Sequence, residues 1–464
     1  MATTSEISAA TVAAIVKRYD VRGRVPEQLD GGLSRHFGAA IASELCRADG
    51  IDAIVVGRDA RTSSPELADG LCDGLTGQGV DVVDLGVVAT DVLYYGSGRL
   101  RLPGVMVTAS HNPPDWNGFK LCRSGARPVG SDTGLSAVRD QVSATVRQGA
   151  VPSGPRRGTR TSRDLLDAYA EHVVGVGPTL DRRLRVVVDA ANATAAVTVP
   201  AVFARLDLEL VPLHFELDGR PPSHPADPMD PANLADLRRA VVEHAADVGL
   251  AFDGDADRCF AVDETGAAVS PSTVVAVVAR QLLRRHPGAT VLYSLTCSRV
   301  VPEEIAAAGG VGVRTRVGHS GIKAEMARRR ALFGGEHSGH YYFRDFWNAD
   351  SGMLAALHLL SELASSPRPL SVVADLLTRY ADSGEINVSV PNPADAVQRT
   401  EAVYGAVSGA HVDDLDGLTV STPDWWFNVR ASNTEPLLRL NVEATDRATM
   451  ERVRDRVLAT IRSH

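Results

Sequence analysis

The sequence predicts an α/β protein in which three units of strand-helix-strand character are followed by a smaller α+β unit. Short apolar runs with the length of buried strands alternate with amphipathic stretches of helical period through most of the chain. Each unit closes one of its strands in a polar, glycine-bearing loop. Beyond Ser383-Gly384 the rhythm changes to three strand-like runs close in sequence, with a helix before and after them.

The chain has 464 residues, a length that suggests roughly three domains. Its 48 Lys and Arg against 57 Asp and Glu give a net charge of −9, which argues against a nucleic-acid or anionic-membrane surface. The five cysteines are odd in number and scattered, with no Cys-x-x-Cys pair, which suits buried free thiols in a reducing compartment. The N-terminal residues lack the basic region of a signal peptide, and no apolar run reaches membrane-spanning length. A cytoplasmic protein acting on a small molecule, monomer or homodimer, is expected.

Taken in order, residues 7–17 read as a short helix leading to a loop, Tyr19-Asp20-Val21-Arg22-Gly23, where Tyr19 and Arg22 suit an anion or a salt-bridged turn equally. Residues 33–46 are amphipathic and helical. A buried strand at 53–57 runs into Arg58-Asp59-Ala60-Arg61. Ser63-Ser64-Pro65-Glu66 opens a helix, with Pro and an acid in its first turn. The strand at 80–85 completes the unit, and the run at 105–107 adds another. Residues 149–162 read as a Gly/Pro/Arg-rich linker. The second unit holds a helix at 164–174, a strand at 184–189, a long irregular loop at 219–228 and a helix at 233–245. The third holds helices at 272–284, 298–308 and 323–330, with strands at 289–293, 311–315 and 331–333. The last unit has a helix at 394–407, strands at 418–422, 425–430 and 437–444, and a final helix. In that helix Met450, Val453, Val457 and Ile461 share one face.

Four loops carry the chemistry. Thr108-Ala109-Ser110-His111-Asn112-Pro113-Pro114 ends an apolar strand, and open α/β sheets keep their chemistry at strand ends. Alone it would also fit a surface turn; Lys120 nearby, and a second loop dense in carboxylates, raise the functional reading. That second loop is Asp253-Gly254-Asp255-Ala256-Asp257-Arg258. Three carboxylates at alternate positions repel unless a cation lies among them, and an all-oxygen set beside a small glycine suits Mg²⁺. An EF-hand is excluded, because the run passes straight into the apolar strand that begins at Cys259. Gly335-Glu336-His337-Ser338-Gly339 offers donors and acceptors for sugar hydroxyls, or is a glycine-rich turn. Arg430-Ala431-Ser432-Asn433-Thr434 puts one guanidinium beside short hydrogen-bonding side chains, which suits a phosphate or a hairpin turn. A nucleophile, a metal site, a polyol loop and a separate anion clamp are the parts that phosphoryl transfer needs. A clamp remote from the metal points to a mutase acting on a phosphosugar.

With these motifs in this order the chain resembles the α-D-phosphohexomutase superfamily over nearly its whole length. It is closest to the bacterial, actinobacterial-type phosphomannomutase/phosphoglucomutase group. The resemblance implies four domains around a central cleft, three related mixed-sheet α/β domains (1–155, 156–266, 267–378) and a C-terminal α+β domain (379–464). It implies a phosphoserine at Ser110, which also completes the metal site of Asp253, Asp255 and Asp257, holding one Mg²⁺ per chain. Lys120, His340 and Arg22 would handle protons or developing charge. Tyr19, His111, Arg258, His319, Glu336, Ser338, Arg430, Ser432, Asn433 and Thr434 would bind substrate. Hexose 6-phosphate and hexose 1-phosphate, of mannose and also glucose, would interconvert through a hexose 1,6-bisphosphate. A phosphoglucosamine mutase and a non-catalytic phosphosugar-binding protein are the alternatives. One departure stands out: Thr296 falls where family members often carry a Lys, and Arg299 is the nearest residue that could supply that charge. His337 varies in the family and does not fix the substrate.

Overall fold

The computed structural model describes residues 8–151, 153–218, 222–431 and 437–463, and of His319 the backbone alone. Its strands form four sheets in chain order. The first runs Val21–Arg24, Trp116–Arg123, Gly104–Val107, Ala53–Arg58, Asp81–Val87, Arg160–Ser162 across its width. From Gly104–Val107 to Arg160–Ser162 the neighbours are parallel, and the first two pairings are antiparallel. Strand alternation splits the side chains between two cores. Ile54, Val56, Val105 and Val107 pack with Leu33, Phe37, Leu67 and Leu71 on one face. Val55 and Met106 pack on the other with Leu93 and Tyr95 of the helix Thr90–Leu100.

The second sheet (Ala268–Val269, Cys259–Asp263, Val248–Phe252, Leu184–Asp189, Leu208–Leu213) and the third (Val311–Thr315, Thr290–Ser294, Phe333–Gly335, Tyr341–Phe343, Ala349–Asp350) are likewise part parallel, part antiparallel. The fourth is wholly antiparallel, in the order Ala381–Ser389, Leu437–Ala444, Trp425–Ala431, Leu418–Ser421, His411–Asp413. Met450, Val453, Val457 and Ile461 of the helix Arg447–Arg462 are buried in its core, as their spacing requires.

One rule runs through the molecule. In the first three sheets the chemistry-bearing loop is the turn of an antiparallel hairpin: Gly104–Val107 with Trp116–Arg123, Val248–Phe252 with Cys259–Asp263, Phe333–Gly335 with Tyr341–Phe343. In the fourth, Trp425–Ala431 and Leu437–Ala444 pair antiparallel, and Ser432, Asn433 and Thr434 fall between them in sequence, outside the described residues.

Several local expectations are corrected. Tyr19-Gly23 is not all loop: Val21–Arg24 is a strand paired to Trp116–Arg123. Gly118 sits mid-strand, where a Cβ would lie 1.8 Å from the Val21 carbonyl oxygen, so only glycine lets the strands meet. The linker contains a strand, Arg160–Ser162, held by the Asp81 and Asp84 carboxylates. The helix placed at 323–330 starts at His319, and the strand placed at 331–333 is Phe333–Gly335. The helices Thr90–Leu100 and Leu135–Gln148 carry no signal used in the sequence reading.

The first three domains share one continuous apolar core. At their meeting point the buried Asp91 accepts from Tyr169 and Ser351, which belong to the second and third domains. The fourth domain attaches differently, through polar contacts to the third: Arg314 to Asp413, the Val317 amide to Asp416, and Arg299 to the carbonyls of Thr422 and Trp425. All five cysteines are buried and free. Among the described residues no helix is long and apolar enough to cross a membrane.

Candidate active site

Ser110 stands at the end of Gly104–Val107 with φ of 52°, a left-handed conformation that a serine adopts only when its surroundings hold it there. The Thr108 hydroxyl accepts from the Ser110 amide, and the Arg22 guanidinium bonds the Ala109 carbonyl and the Asn112 side chain. Arg61 does more. Its guanidinium donates to the backbone carbonyls of Ser110 and Asn112 (2.7 Å each), Pro113 (2.7 Å) and Trp116 (3.0 Å), while Asp59 holds its Nε from behind. The loop is thus wound around one arginine. Sequence reasoning passed over Arg61; the charged Arg58-Asp59-Ala60-Arg61 run directly after a strand was the available signal.

The 253–258 loop closes onto this turn. The Ser110 hydroxyl donates to Asp253 Oδ2 at 2.6 Å, and Arg258 donates to Ser110 Oγ at 3.2 Å and to Asp253 at 3.0 Å. Gly254 makes the approach possible, since a Cβ there would lie 2.3 Å from the Ser110 carbonyl oxygen. His111 lies against Arg258, and that guanidinium with burial holds its imidazole well below the ordinary pKa, hence neutral.

Asp253, Asp255 and Asp257 are buried and offer oxygens within 4.8 Å of one another. Lys120 Nζ donates to Asp255 Oδ2 (2.6 Å) and Asp257 Oδ2 (2.5 Å), and Thr90 also donates to Asp255 Oδ2 (2.6 Å). The two other oxygens, Asp255 Oδ1 and Asp257 Oδ1, are shielded from water and have no hydrogen-bond partner among the described residues. Burial raises the pKa of Asp257, and the neighbouring Asp255 raises it further. For Asp255 burial acts upward too, but Lys120 outweighs it and keeps the carboxylate ionised. Burial would lower Lys120; Asp255 and Asp257 outweigh it, so the ammonium stays charged. Hard oxygens left without donors, in a set with excess negative charge, fit a small divalent cation. Asp253, Asp255, Asp257 and Ser110 Oγ are the groups that would hold it.

The third domain's loop reaches the same place. His340 pairs with Arg258 as an isolated antiparallel bridge, and its Nε2 lies 3.6 Å from Asp257 Oδ1. Ser338 Oγ bonds His340 Nδ1 at 3.1 Å. Asp350 joins Asp257 and His340 in a second close group, and Lys323 pairs with Asp350 at 2.5 Å; neither residue was foreseen. Glu336 is buried, accepts from the Gly318 amide (3.0 Å) and from the Tyr342 hydroxyl, and burial raises its pKa. Tyr19 packs over Gly318, where a Cβ would meet its ring at 2.9 Å, so it stands between the first and third domains. His337 Nδ1 bonds the Ser272 hydroxyl at 2.9 Å.

In the fourth domain Arg430 is buried, with Nη2 on Glu385 at 2.5 Å, and among the described residues its shielded Nη1 has no hydrogen-bond partner. The Ser432, Asn433 and Thr434 expectations, and that for the His319 side chain, lie outside the described residues. Arg299 does not replace the missing Lys near Thr296. Its guanidinium is committed to the carbonyls of Thr422, Pro423 and Trp425, and its amide to Glu443, so it fastens the third domain to the fourth.

Comparison with known proteins agrees with this architecture. The chain matches "Phosphoglucomutase/phosphomannomutase, alpha/beta/alpha domain I" over residues 13–147, domain II over 167–266, domain III over 270–380 and the C-terminal domain over 385–460. It is 38% identical to a phosphomannomutase of Salmonella typhimurium over 456 residues, covering 96% of this chain and 98% of that protein. It is 36% identical to a phosphoglucomutase of Neisseria gonorrhoeae, covering 97% of each. The crystal structure of a phosphoglucomutase/phosphomannomutase family protein from Burkholderia thailandensis superposes with a TM-score of 0.88 at 34% identity, covering 98% of both chains. With all four domains matched in order, the chain belongs to the phosphoglucomutase/phosphomannomutase family of the α-D-phosphohexomutase superfamily.

Proposed function

We propose that the chain is a phosphohexomutase that interconverts hexose 6-phosphate and hexose 1-phosphate, with mannose phosphates as substrate and glucose phosphates also accepted. The observation that carries this reading is the Ser110 hydroxyl on Asp253 Oδ2 at 2.6 Å, inside a cluster of buried carboxylates. Relatives named phosphomannomutase and phosphoglucomutase support the same reaction class.

In this reading phosphorylated Ser110 gives its phosphoryl group to the free hydroxyl of a hexose phosphate. The P–O bond to Ser110 breaks as the new one forms, and the hydroxyl's proton goes to a nearby base. The resulting 1,6-bisphosphate turns over, and its other phosphate returns to Ser110. Mg²⁺ bound by the three aspartates and the serine oxygen would supply charge neutralisation at the phosphoryl group. Arg61 and Arg22 hold the loop so that Ser110 keeps its direction. Arg258 and Lys120 bring positive charge to the transferring group. His340, fixed by Ser338 and beside Asp257, is placed to exchange the substrate's proton. Glu336 and Ser338 would take sugar hydroxyls, and Arg430 the phosphate that does not react.

Coupled assays with mannose 1-phosphate and glucose 1-phosphate test the reading. Turnover of both, faster with mannose, is expected. Turnover of neither would reject it, and turnover of glucosamine 6-phosphate alone would reassign the substrate.

A further inference from the structure

Away from the catalytic carboxylates, in the second domain, three side chains with metal-ligating chemistry converge. Asp189 ends the strand Leu184–Asp189, His214 follows the strand Leu208–Leu213, and His224 lies on the irregular segment beyond. Each offers a ligand atom within 4.8 Å of the others'.

The hydrogen bonds around His224 constrain its protons. Nδ1 lies 2.8 Å from the Pro225 carbonyl oxygen, an acceptor only, so Nδ1 carries a hydrogen. Nε2 lies 3.0 Å from Asp189 Oδ2, another acceptor. In the neutral imidazole two lone pairs would face each other there. A positive charge must lie between them, either a proton or a metal ion. A proton bridges two groups and leaves the third unserved. That third group is His214, whose Nε2 is shielded from water, makes no hydrogen bond among the described residues and has one ionic neighbour, the Asp236 carboxylate at 3.3 Å. The His214 and His224 rings meet edge to face at 5.2 Å.

The surroundings hold this geometry. The Asp189 carboxylate accepts from the Ala191 amide at 2.9 Å. Asn192 ties the two histidine segments together: its amide donates to the His214 carbonyl (2.7 Å), and its Oδ1 accepts from the Ser223 amide and hydroxyl (2.9 Å each). His214 itself has a φ of 54°, outside the range a histidine usually takes.

We propose that Asp189, His214 and His224 form a second metal centre, one for Zn²⁺ or a neighbouring late first-row divalent ion. Two imidazoles and one carboxylate suit such an ion and not Mg²⁺. Zinc–nitrogen bonds of about 2.0 Å place donors roughly 3.3 Å apart, against the 4.8 Å within which these three ligand atoms lie. The Asp236 carboxylate, 3.3 Å from His214 Nε2, adds negative charge beside the three ligands. The centre fastens the segment following His224 in place. That segment reaches the catalytic loop: Ala226 lies 3.6 Å from where a Cβ on Gly254 would stand. The ion would therefore brace the catalytic aspartate loop from behind without touching substrate.

The test uses the full chain with D253N and D255N, which weaken the catalytic metal site, stripped with chelator and dialysed against Zn²⁺ or Co²⁺ in excess Mg²⁺. Expected are one Zn²⁺ per chain by elemental analysis and, with Co²⁺, the intense visible bands of a low-coordinate nitrogen/oxygen site. Adding His214→Gln or His224→Gln should each weaken Zn²⁺ binding by about tenfold or more. Should His224→Gln fail to fold, His214→Gln decides. The proposal is overturned if no stoichiometric Zn²⁺ is retained, if His214→Gln binds as the parent does, or if NMR finds His224 doubly protonated with Zn²⁺ present.

Discussion

The Ser110 hydroxyl donates to Asp253 Oδ2 across 2.6 Å, although the two residues are 143 positions apart and belong to different sheets. Both sit on hairpin turns, and Gly254 removes the one Cβ that would keep the turns from meeting. Burying an aspartate costs free energy unless a partner compensates. Here burial raises the pKa of Asp253, while the Arg258 guanidinium opposes the rise.

Ser110→Ala keeps the φ and the packing of the loop but removes the acceptor of the phosphoryl group. Intact-mass measurement of the parent should find a fraction of chains heavier by one phosphoryl group, and the variant should lack that species. Mutase activity should fall by about a thousandfold or more, with an unchanged melting temperature. A phosphoryl group persisting on the variant would place the modified residue elsewhere.

Asp255→Asn removes one of the two carboxylates that hold Lys120 and one of the two partnerless oxygens at the centre. Turnover should drop by about a hundredfold or more, and the Mg²⁺ concentration needed for half-maximal activity should rise. Kinetics across a Mg²⁺ titration check it, and an unchanged Mg²⁺ dependence would remove Asp255 from the metal site.

Arg61 touches backbone carbonyls of the serine turn rather than any group placed on substrate, so its loss should act on orientation. Arg61→Lys keeps the charge but cannot span four carbonyls. The expected result is a fall of about tenfold or more in kcat with KM for the phosphosugar little changed. Steady-state kinetics separate the two, and a rise in KM alone would mean Arg61 meets substrate.

How much of this was legible beforehand depends on the range of each interaction. The strand at 105–107 and the final helix showed in local periodicity, and their burial follows it. The loops around Ser110, Asp255 and Glu336 stood out because each concentrates its polar residues in a few consecutive positions, and each is a hairpin turn in the fold. What stayed hidden was long-range. Arg61 reaches residues about fifty positions away, and Lys323 finds Asp350 only after the third sheet folds. Arg299 was misread for the same reason: its partners lie more than a hundred positions on, in the fourth domain.

Arg430 is held from one side by Glu385, which leaves Nη1 buried and available. A clamp on the non-reacting phosphate acts in ground and transition states alike. Arg430→Ala should therefore raise KM for hexose phosphate by about tenfold or more, with a smaller effect on kcat. Inorganic phosphate should also lose potency as a competitive inhibitor. A pure loss in kcat would mean the arginine acts mainly in the transition state.

Asp91 gives a prediction about pH. It is buried where three domains meet, and burial pushes its carboxyl up to about 7 against the hydrogen bonds from Tyr169 and Ser351. An unfolded aspartate titrates near 4, so between about pH 4 and 7 the folded chain binds the extra proton. Stability from this group is therefore greatest at low pH and falls as pH rises through that window, by an amount on the order of a few kcal/mol. Asparagine resembles the protonated acid: its oxygen can accept from Tyr169 and Ser351 and it never ionises. Asp91→Asn should exceed the parent's melting temperature by a small margin near pH 5 and by a larger one at pH 8, as scanning calorimetry at the two pH values would show. Equal shifts at both would mean that Asp91 stays charged in the fold, with Tyr169 and Ser351 offsetting the cost of its burial.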